Sequence, residues 1–230
     1  MTIASPLARD VILTLGPVPV TRPILTSWAI IAVLAGCCWL VTRHMEQRPS
    51  RPQALLELLV DTMRRQVGDT VEAPAGPYLP LIGTIFLFIL AANWSSLVPG
   101  VEPPTATLET DAALALVVFG ATLWFVIRAR GAAGYLRSFA SPSIVLAPLN
   151  LIELFTRSFA LTIRLFGNVM GGVFMIGVVL SLAGLLVPIP LMALEVLTGA
   201  VQAYIFAALA AVFIGSAIGE AGSPQEEKQS

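Results

Sequence analysis

Charge is scarce in this chain. Only 12% of its 230 residues are Asp, Glu, Lys or Arg, about half the share of a water-soluble domain. With 57% hydrophobic residues and a mean hydropathy of +0.86, the composition excludes an ordinary soluble design and leaves a bilayer as the solvent. Histidine occurs once, at His44, and lysine once, at Lys228, so twelve of the thirteen basic residues are arginine. The two cysteines, Cys37 and Cys38, are neighbours in an apolar run. Adjacent cysteines rarely satisfy disulfide geometry, and with one histidine there is no ligand set for a metal. A net charge of -1 gives no pull toward nucleic acid. No phosphate-binding loop and no nucleophile elbow is present, so the chain is expected to catalyse nothing on its own and to need no cofactor. No internal repeat is found, which speaks against a self-contained secondary transporter.

What is there is a series of long apolar runs, predicting an all-α polytopic membrane protein with about five membrane helices. The first run covers 24–42, long enough to span. Leu34-Ala35-Gly36-Cys37 within it resembles a lipobox, but the apolar run continues through Cys38-Trp39-Leu40-Val41 where a cleaved signal would turn polar. Residues 53–67 change character: Leu56, Leu59, Val60, Met63 and Val67 share one helical face, with Glu57, Asp61, Arg64 and Arg65 opposite. An amphipathic helix on the membrane surface or on a partner is expected there. A Gly/Pro linker at 68–77 leads to a second span at 78–98, ending in Asn93-Trp94-Ser95-Ser96, and a third covers about 112–127. Arginines set the orientation. The segment 43–77 holds Arg43, Arg48, Arg51, Arg64 and Arg65, and 128–137 holds Arg128, Arg130 and Arg137, whereas 99–111 has no Lys or Arg. The positive-inside rule then places 1–23 and 99–111 outside, and 43–77 and the C-terminus in the cytoplasm. The last part, 78–230, carries a helical hairpin at 144–218, broken at Val187-Pro188-Ile189-Pro190. Its first arm is longer than a hydrocarbon core of about 30 Å allows for an upright helix, so a strong tilt is expected.

That arm carries charge where charge is costly, about 2.5–3.5 kcal/mol for a mid-membrane arginine on insertion scales. With Glu153 as zero, Asn150 and Asn168 fall at about 60°, Arg157 at about 40°, Arg164 at about 20° and Gly171 at about 0°. All the strong polar groups share one arc. A polar seam buried between helices is the plain alternative to an ion path, but no acid of this chain obviously neutralises Arg164. On the second arm Glu195 and Gln202 are seven residues apart and again share a face. Glu109 and Asp111, at the acidic end of 99–111, read either as solvated loop residues or as the outer mouth of an ion path.

Ser158-Phe159-Ala160-Leu161-Thr162-Ile163-Arg164-Leu165-Phe166-Gly167-Asn168 resembles the signature of subunit a of F-type ATP synthases. Gln202-Ala203-Tyr204-Ile205-Phe206 resembles a second segment of that family, Asn93 with Pro99-Gly100 the end of an earlier membrane helix, and PPTATLETD the loop after it. These matches stand in the family's order across most of 78–218. The resemblance implies that Arg164 is the coupling arginine facing a ring of c subunits, with Asn168 and Gln202 beside it. It also implies Glu195 at a position where the family often has His or Glu, and two aqueous half-channels for H+ or Na+. The expected partners are that ring, the peripheral-stalk b subunits, the other synthase subunits and the lipid of the cell inner membrane. The chain departs from the pattern at Val173, where Glu or His is frequent, and at Ser158, where Pro is frequent. Glu153 stands only four residues before Arg157. A structural scaffold without transport is the remaining alternative, and an arginine stripe in the membrane argues against it.

Overall fold

The computed structural model describes residues 11–15, 18–43, 51–71, 74–98, 101–139, 147–183 and 187–219. Six helices dominate: α1 Arg22–Arg43, α2 Arg51–Val71, α3 Leu79–Trp94, α4 Leu108–Phe139, α5 Ala147–Ala183 and α6 Pro188–Gly219. Short 3-10 turns cover Ser95–Leu97 and Pro104–Ala106. A two-stranded antiparallel hairpin, β1 Val11–Leu15 with β2 Val18–Thr21, precedes α1. Among the described residues, five helical stretches are long and apolar enough to cross a membrane: Arg22–Arg43, Leu79–Leu97, Leu108–Ala129, Phe155–Leu182 and Pro188–Ile218. This is the all-α polytopic architecture expected, and the amphipathic α2 is not among the five.

Four boundaries differ from the expectation, one of them the end of α2, which runs to Val71 and into the expected linker at 68–77. The third span begins at Leu108, so Glu109 and Asp111 lie in the first helical turn of α4 and not in a loop. Acidic groups suit a helix N-terminus, where unpaired N–H groups leave a partial positive charge. The same helix continues past Arg128 to Phe139 with one break, at Gly131, whose φ of 76° favours glycine. The last helix begins at Pro188 rather than near 192, because proline fits the first turn, where its missing N–H has no intrahelical role.

Inside a membrane, helix association relies on close van der Waals packing rather than on expulsion of water. The sequence answers with small residues on α6, which packs against α2, α3, α4 and α5. Ala203, Phe206 and Ala210 of α6 meet Ile85, Phe88, Ile89 and Ala92 of α3, Ala115 and Val118 of α4, and Leu161 and Leu165 of α5. A second cluster joins Ala207, Ala211 and Ile214 of α6 to Val67 and Val71 of α2 and to Ile82 of α3. A Cβ at Gly215 would come within 3.0 Å of Val71 Cα, so glycine permits the close crossing of α2. Val67, Met63, Leu59 and Leu56 of the anticipated apolar face turn inward, whereas Val60 is exposed, as are Leu55 and Leu58.

The two arms α5 and α6 run antiparallel. Arg157 reaches Ser216, Arg164 shares a cleft with Leu209, and Gly172 abuts Glu195, so rising numbers on one arm meet falling numbers on the other. The apolar stretch of α5 spans 28 residues, about 42 Å of helix. It fits a core of about 30 Å only when tilted by roughly 45°.

Candidate functional site

Helix α5 buries one flank only. Leu161, Thr162, Leu165 and Val169 are inside, at wheel angles adjoining the polar stripe. The stripe therefore lies at the edge of the packed face, and Arg164 is exposed. It opens on a cleft of about 450 Å³ between α5 and α6, shared with Glu153, Arg157, Thr156, Leu209 and Phe213.

The two arginines of the stripe have different surroundings. Arg157 pairs with the Glu153 carboxylate one turn back. It also donates to Ser216 Oγ at 3.4 Å and lies over the Phe213 ring at 5.4 Å. Arg164, two turns further along, makes no hydrogen bond or ion pair among the described residues. Sequence periodicity groups them; the structure assigns Arg157 to the fold and leaves the Arg164 guanidinium available.

Beyond Arg164, toward the end of α5, the groups are closed in. Asn168 is half-buried, and Gln202 of α6 is buried with its Nε2 unpartnered. Glu195 is half-buried, its Oε1 enclosed and without a hydrogen-bond partner. That oxygen lies where a Cβ at Gly172 would meet it at 2.6 Å, so the carboxylate rests on the bare glycine backbone of α5. The neighbouring Val173 is exposed. Glu195 thus meets α5 beside the position where the family pattern often supplies an acid or histidine.

Glu109 and Asp111 part ways within one turn of α4. Glu109 is exposed, whereas Asp111 is completely buried with both carboxylate oxygens unpartnered. Of the two readings of these acids, that of solvated loop residues is corrected for Asp111: the 3-10 turn Pro104–Ala106, itself buried at Pro104 and Thr105, covers this end of the bundle.

One polar centre escaped the sequence reading. Asn93, at the last turn of α3, is buried; its Nδ2 donates to the Gly199 carbonyl at 3.0 Å and its Oδ1 accepts from Thr105 Oγ1 at 2.8 Å. Trp94 Nε1 donates to the Val196 carbonyl at 3.1 Å. A polar and aromatic ending such as Asn93-Trp94 is also what a membrane interface favours; only the distance along the chain hides its partners on α6.

An all-helical membrane bundle with a free, exposed arginine on a cleft and enclosed carboxylates deeper in defines a membrane protein built around buried ionisable groups, which at membrane depth mark ion pathways. Comparison with known proteins gives the family. Residues 24–215 match the family described as ATP synthase A chain. The chain is 52% identical over 216 residues to ATP synthase subunit a 2 of Bradyrhizobium sp. strain BTAi1, covering 94% of this chain and 97% of the relative. It is 45% identical to ATP synthase subunit a 2 of Acaryochloris marina, over 83% of this chain and 82% of that one. Identity to ATP synthase subunit a 1 of Chlorobaculum parvum is 44%, over 84% and 87% of the two chains. The chain belongs to the ATP synthase A chain family, a family of non-catalytic membrane-sector subunits.

Proposed function

We propose that this chain is the ion-translocating stator subunit of an F-type ATP synthase, with Arg164 as the group that faces the rotor. The observation that carries the reading is the contrast within one stripe: Arg157 is paired, while Arg164 stands exposed on a cleft with no ion pair among the described residues. A carboxylate on a passing rotor helix supplies that charge. At about 4 Å and an effective dielectric near 20, the attraction is about 4 kcal/mol toward the ionised carboxylate, so a bound ion is released before the carboxylate passes. Guanidinium suits the task because it does not deprotonate and therefore carries no proton across. Each elementary charge crossing the membrane contributes about 2.3 kcal/mol per 100 mV, and that drives rotation when the two water paths are not joined at Arg164.

In this reading the cleft of Glu153, Arg157 and Arg164 is the cytoplasmic access path. Glu195, Gln202 and Asn168 line the outer one, with Asp111 deeper and Glu109 at its entrance. The partners are a c-subunit ring, the peripheral-stalk b subunits and the remaining synthase subunits, in the cell inner membrane. Residues 1–23 and 99–111 lie outside, 43–77 and the C-terminus in the cytoplasm, and 78–230 form the channel-bearing part. Cysteines placed at exposed positions such as Glu102 or Glu109 should react with an impermeant maleimide in intact cells and not from the cytoplasmic face of inverted vesicles; the reverse pattern overturns the orientation. The translocated ion is H+ or Na+: ATP synthesis driven by an imposed pH difference in Na+-free vesicles identifies the first, and a requirement for Na+ the second. The deciding experiment is ATP synthesis in energised inverted vesicles carrying Arg164→Ala. Loss of synthesis with normal assembly is expected, and full activity sinks the mechanism.

A further inference from the structure

We propose that Asn93 is a positioning residue that fixes the rotation of α6 about its own axis, and thereby sets Glu195 against Gly172 and Gln202 toward the bundle. The inference rests on the reading of Glu195 and Gln202 as part of the ion path. Three observations carry it.

First, Glu195, Gly199 and Gln202 lie on one face of α6, at about 0°, 40° and -20° on the helical wheel. Asn93 docks at the edge of that face, at a height along the helix between the two polar groups, where Gly199 stands. A Cβ at Gly199 would come within 3.0 Å of Asn93 Cβ, so the absent side chain is what admits Asn93 to the backbone.

Second, both ends of the Asn93 amide are committed. The Gly199 carbonyl can only accept, so the amide must present Nδ2 to it, at 3.0 Å. Oδ1 is then turned to Thr105, whose hydroxyl must donate, at 2.8 Å. The network is self-consistent and admits one orientation of the side chain. Asn93 therefore holds three segments at one point: the end of α3, the Pro104–Ala106 turn and α6.

Third, the grip on α6 is doubled. Trp94 Nε1 bonds to the Val196 carbonyl, three residues before Gly199 and on the same side of the helix. Two consecutive residues of α3 thus hold two carbonyls about one turn apart, which opposes rotation as well as sliding.

The consequence is geometric. A carboxylate some 5–6 Å off the helix axis moves about 2 Å when the helix turns by about 20°. Glu195 Oε1 sits so close to Gly172 that such a turn takes it off its seat, and misplacement of a reacting group by about 1 Å costs up to about a hundredfold in rate.

The test uses the assembled synthase in vesicles, with Cys37→Ser and Cys38→Ser removing the native thiols. A Gly172→Cys/Glu195→Cys pair reports the register directly: the position of Glu195 Cγ, 3.4 Å from a Cβ at 172, places the thiols within reach of a disulfide. In the parent, mild oxidation should close it readily. Asn93→Leu, which keeps the branched shape with somewhat greater bulk and removes both hydrogen bonds, should slow closure at least about tenfold, and Thr105→Val about threefold. Where Asn93→Leu does not assemble, Asn93→Asp, which retains the Thr105 bond and loses the donor to Gly199, takes its place. In the cysteine-free protein with Glu195 intact, the same substitutions should lower ion-driven ATP synthesis in the same order, with ATP hydrolysis by the detached catalytic sector unchanged. Unaltered closure in the Asn93 and Thr105 variants overturns the positioning role. Slowed closure with undiminished synthesis upholds it and instead overturns the assignment of Glu195 to the ion path.

Discussion

The two halves of the α5–α6 hairpin solve opposite problems. Around Arg164 the helices part into a cleft, the guanidinium is exposed, and the other arginine is neutralised by Glu153. Around Glu195 the helices close until a carboxylate lies on glycine backbone, and Asn93 and Trp94 tie α6 to α3. In the proposed reading, an unpaired charge facing outward marks a place completed by another chain. An unpartnered polar atom facing inward, at a cost of about 1–3 kcal/mol, marks a place retained for something other than stability. The same polar stripe thus serves a surface role at one end and an interior role at the other.

The contrast breaks first at Arg164. Arg164→Ala should lower ion-driven ATP synthesis at least about a hundredfold, as expected from losing an attraction of about 4 kcal/mol, and Arg164→Lys should not restore it. The amount of assembled complex should stay level, because the residue makes no hydrogen bond or ion pair among the described residues; an assembly defect in step with the loss of activity would return Arg164 to a structural role.

The closed end comes next. Glu195→Gln should reduce synthesis about a hundredfold, the low end of the roughly 10²–10⁴-fold that one positioned proton-transfer group contributes. Gly172→Ala should reduce it severalfold, because the new Cβ forces Glu195 Oε1 from a 2.6 Å approach. Shortening the acid in Gly172→Ala/Glu195→Asp should recover part of the rate. A harmless Gly172→Ala with an impaired Glu195→Gln would show that the carboxylate acts without its seat.

Asp111 sharpens the comparison through signs that oppose. Asp111→Leu removes two buried, unpartnered oxygens, so the thermal stability of the complex in detergent should hold or rise, by up to about 1–3 kcal/mol in the bundle. Synthesis should nevertheless fall severalfold. If stability drops instead, Asp111 is a structural group with a partner in the assembled complex.

The smallest effect belongs to Arg157. Its ion pair with Glu153 is partly exposed, at 35% and 54% for the two side chains, and such pairs contribute about 0–1 kcal/mol. Arg157→Ala and Glu153→Ala should each reduce synthesis by about twofold, and the double variant should be no worse than either alone. A loss as deep as that of Arg164→Ala would show that the two arginines act as one unit.

Much of this layout was legible in the order of the residues. The five spans follow from apolar runs of bilayer length, and the α2 face followed from 3.6-residue periodicity except at Val60, which is exposed. The hairpin at 11–21 was not legible, because its strands are short and no alternating pattern sets them apart. The start of α4 was placed late because Glu-Thr-Asp reads as loop, although acids belong in a first helical turn.

Arg164, Glu195 and Gln202 could be named from sequence because polar residues at membrane depth are rare enough to stand out, and helical periodicity assigns each to a face. Periodicity carries no information about neighbours on other helices. Only tertiary packing decided that Arg157 is paired while Arg164 has no hydrogen bond or ion pair among the described residues, that Asp111 is enclosed while Glu109 is not, and that Glu195 rests on Gly172. Asn93 shows the reason most plainly: its partner Gly199 is 106 residues away along the chain and 3.0 Å away in space, and a hydrogen bond depends on the second distance alone.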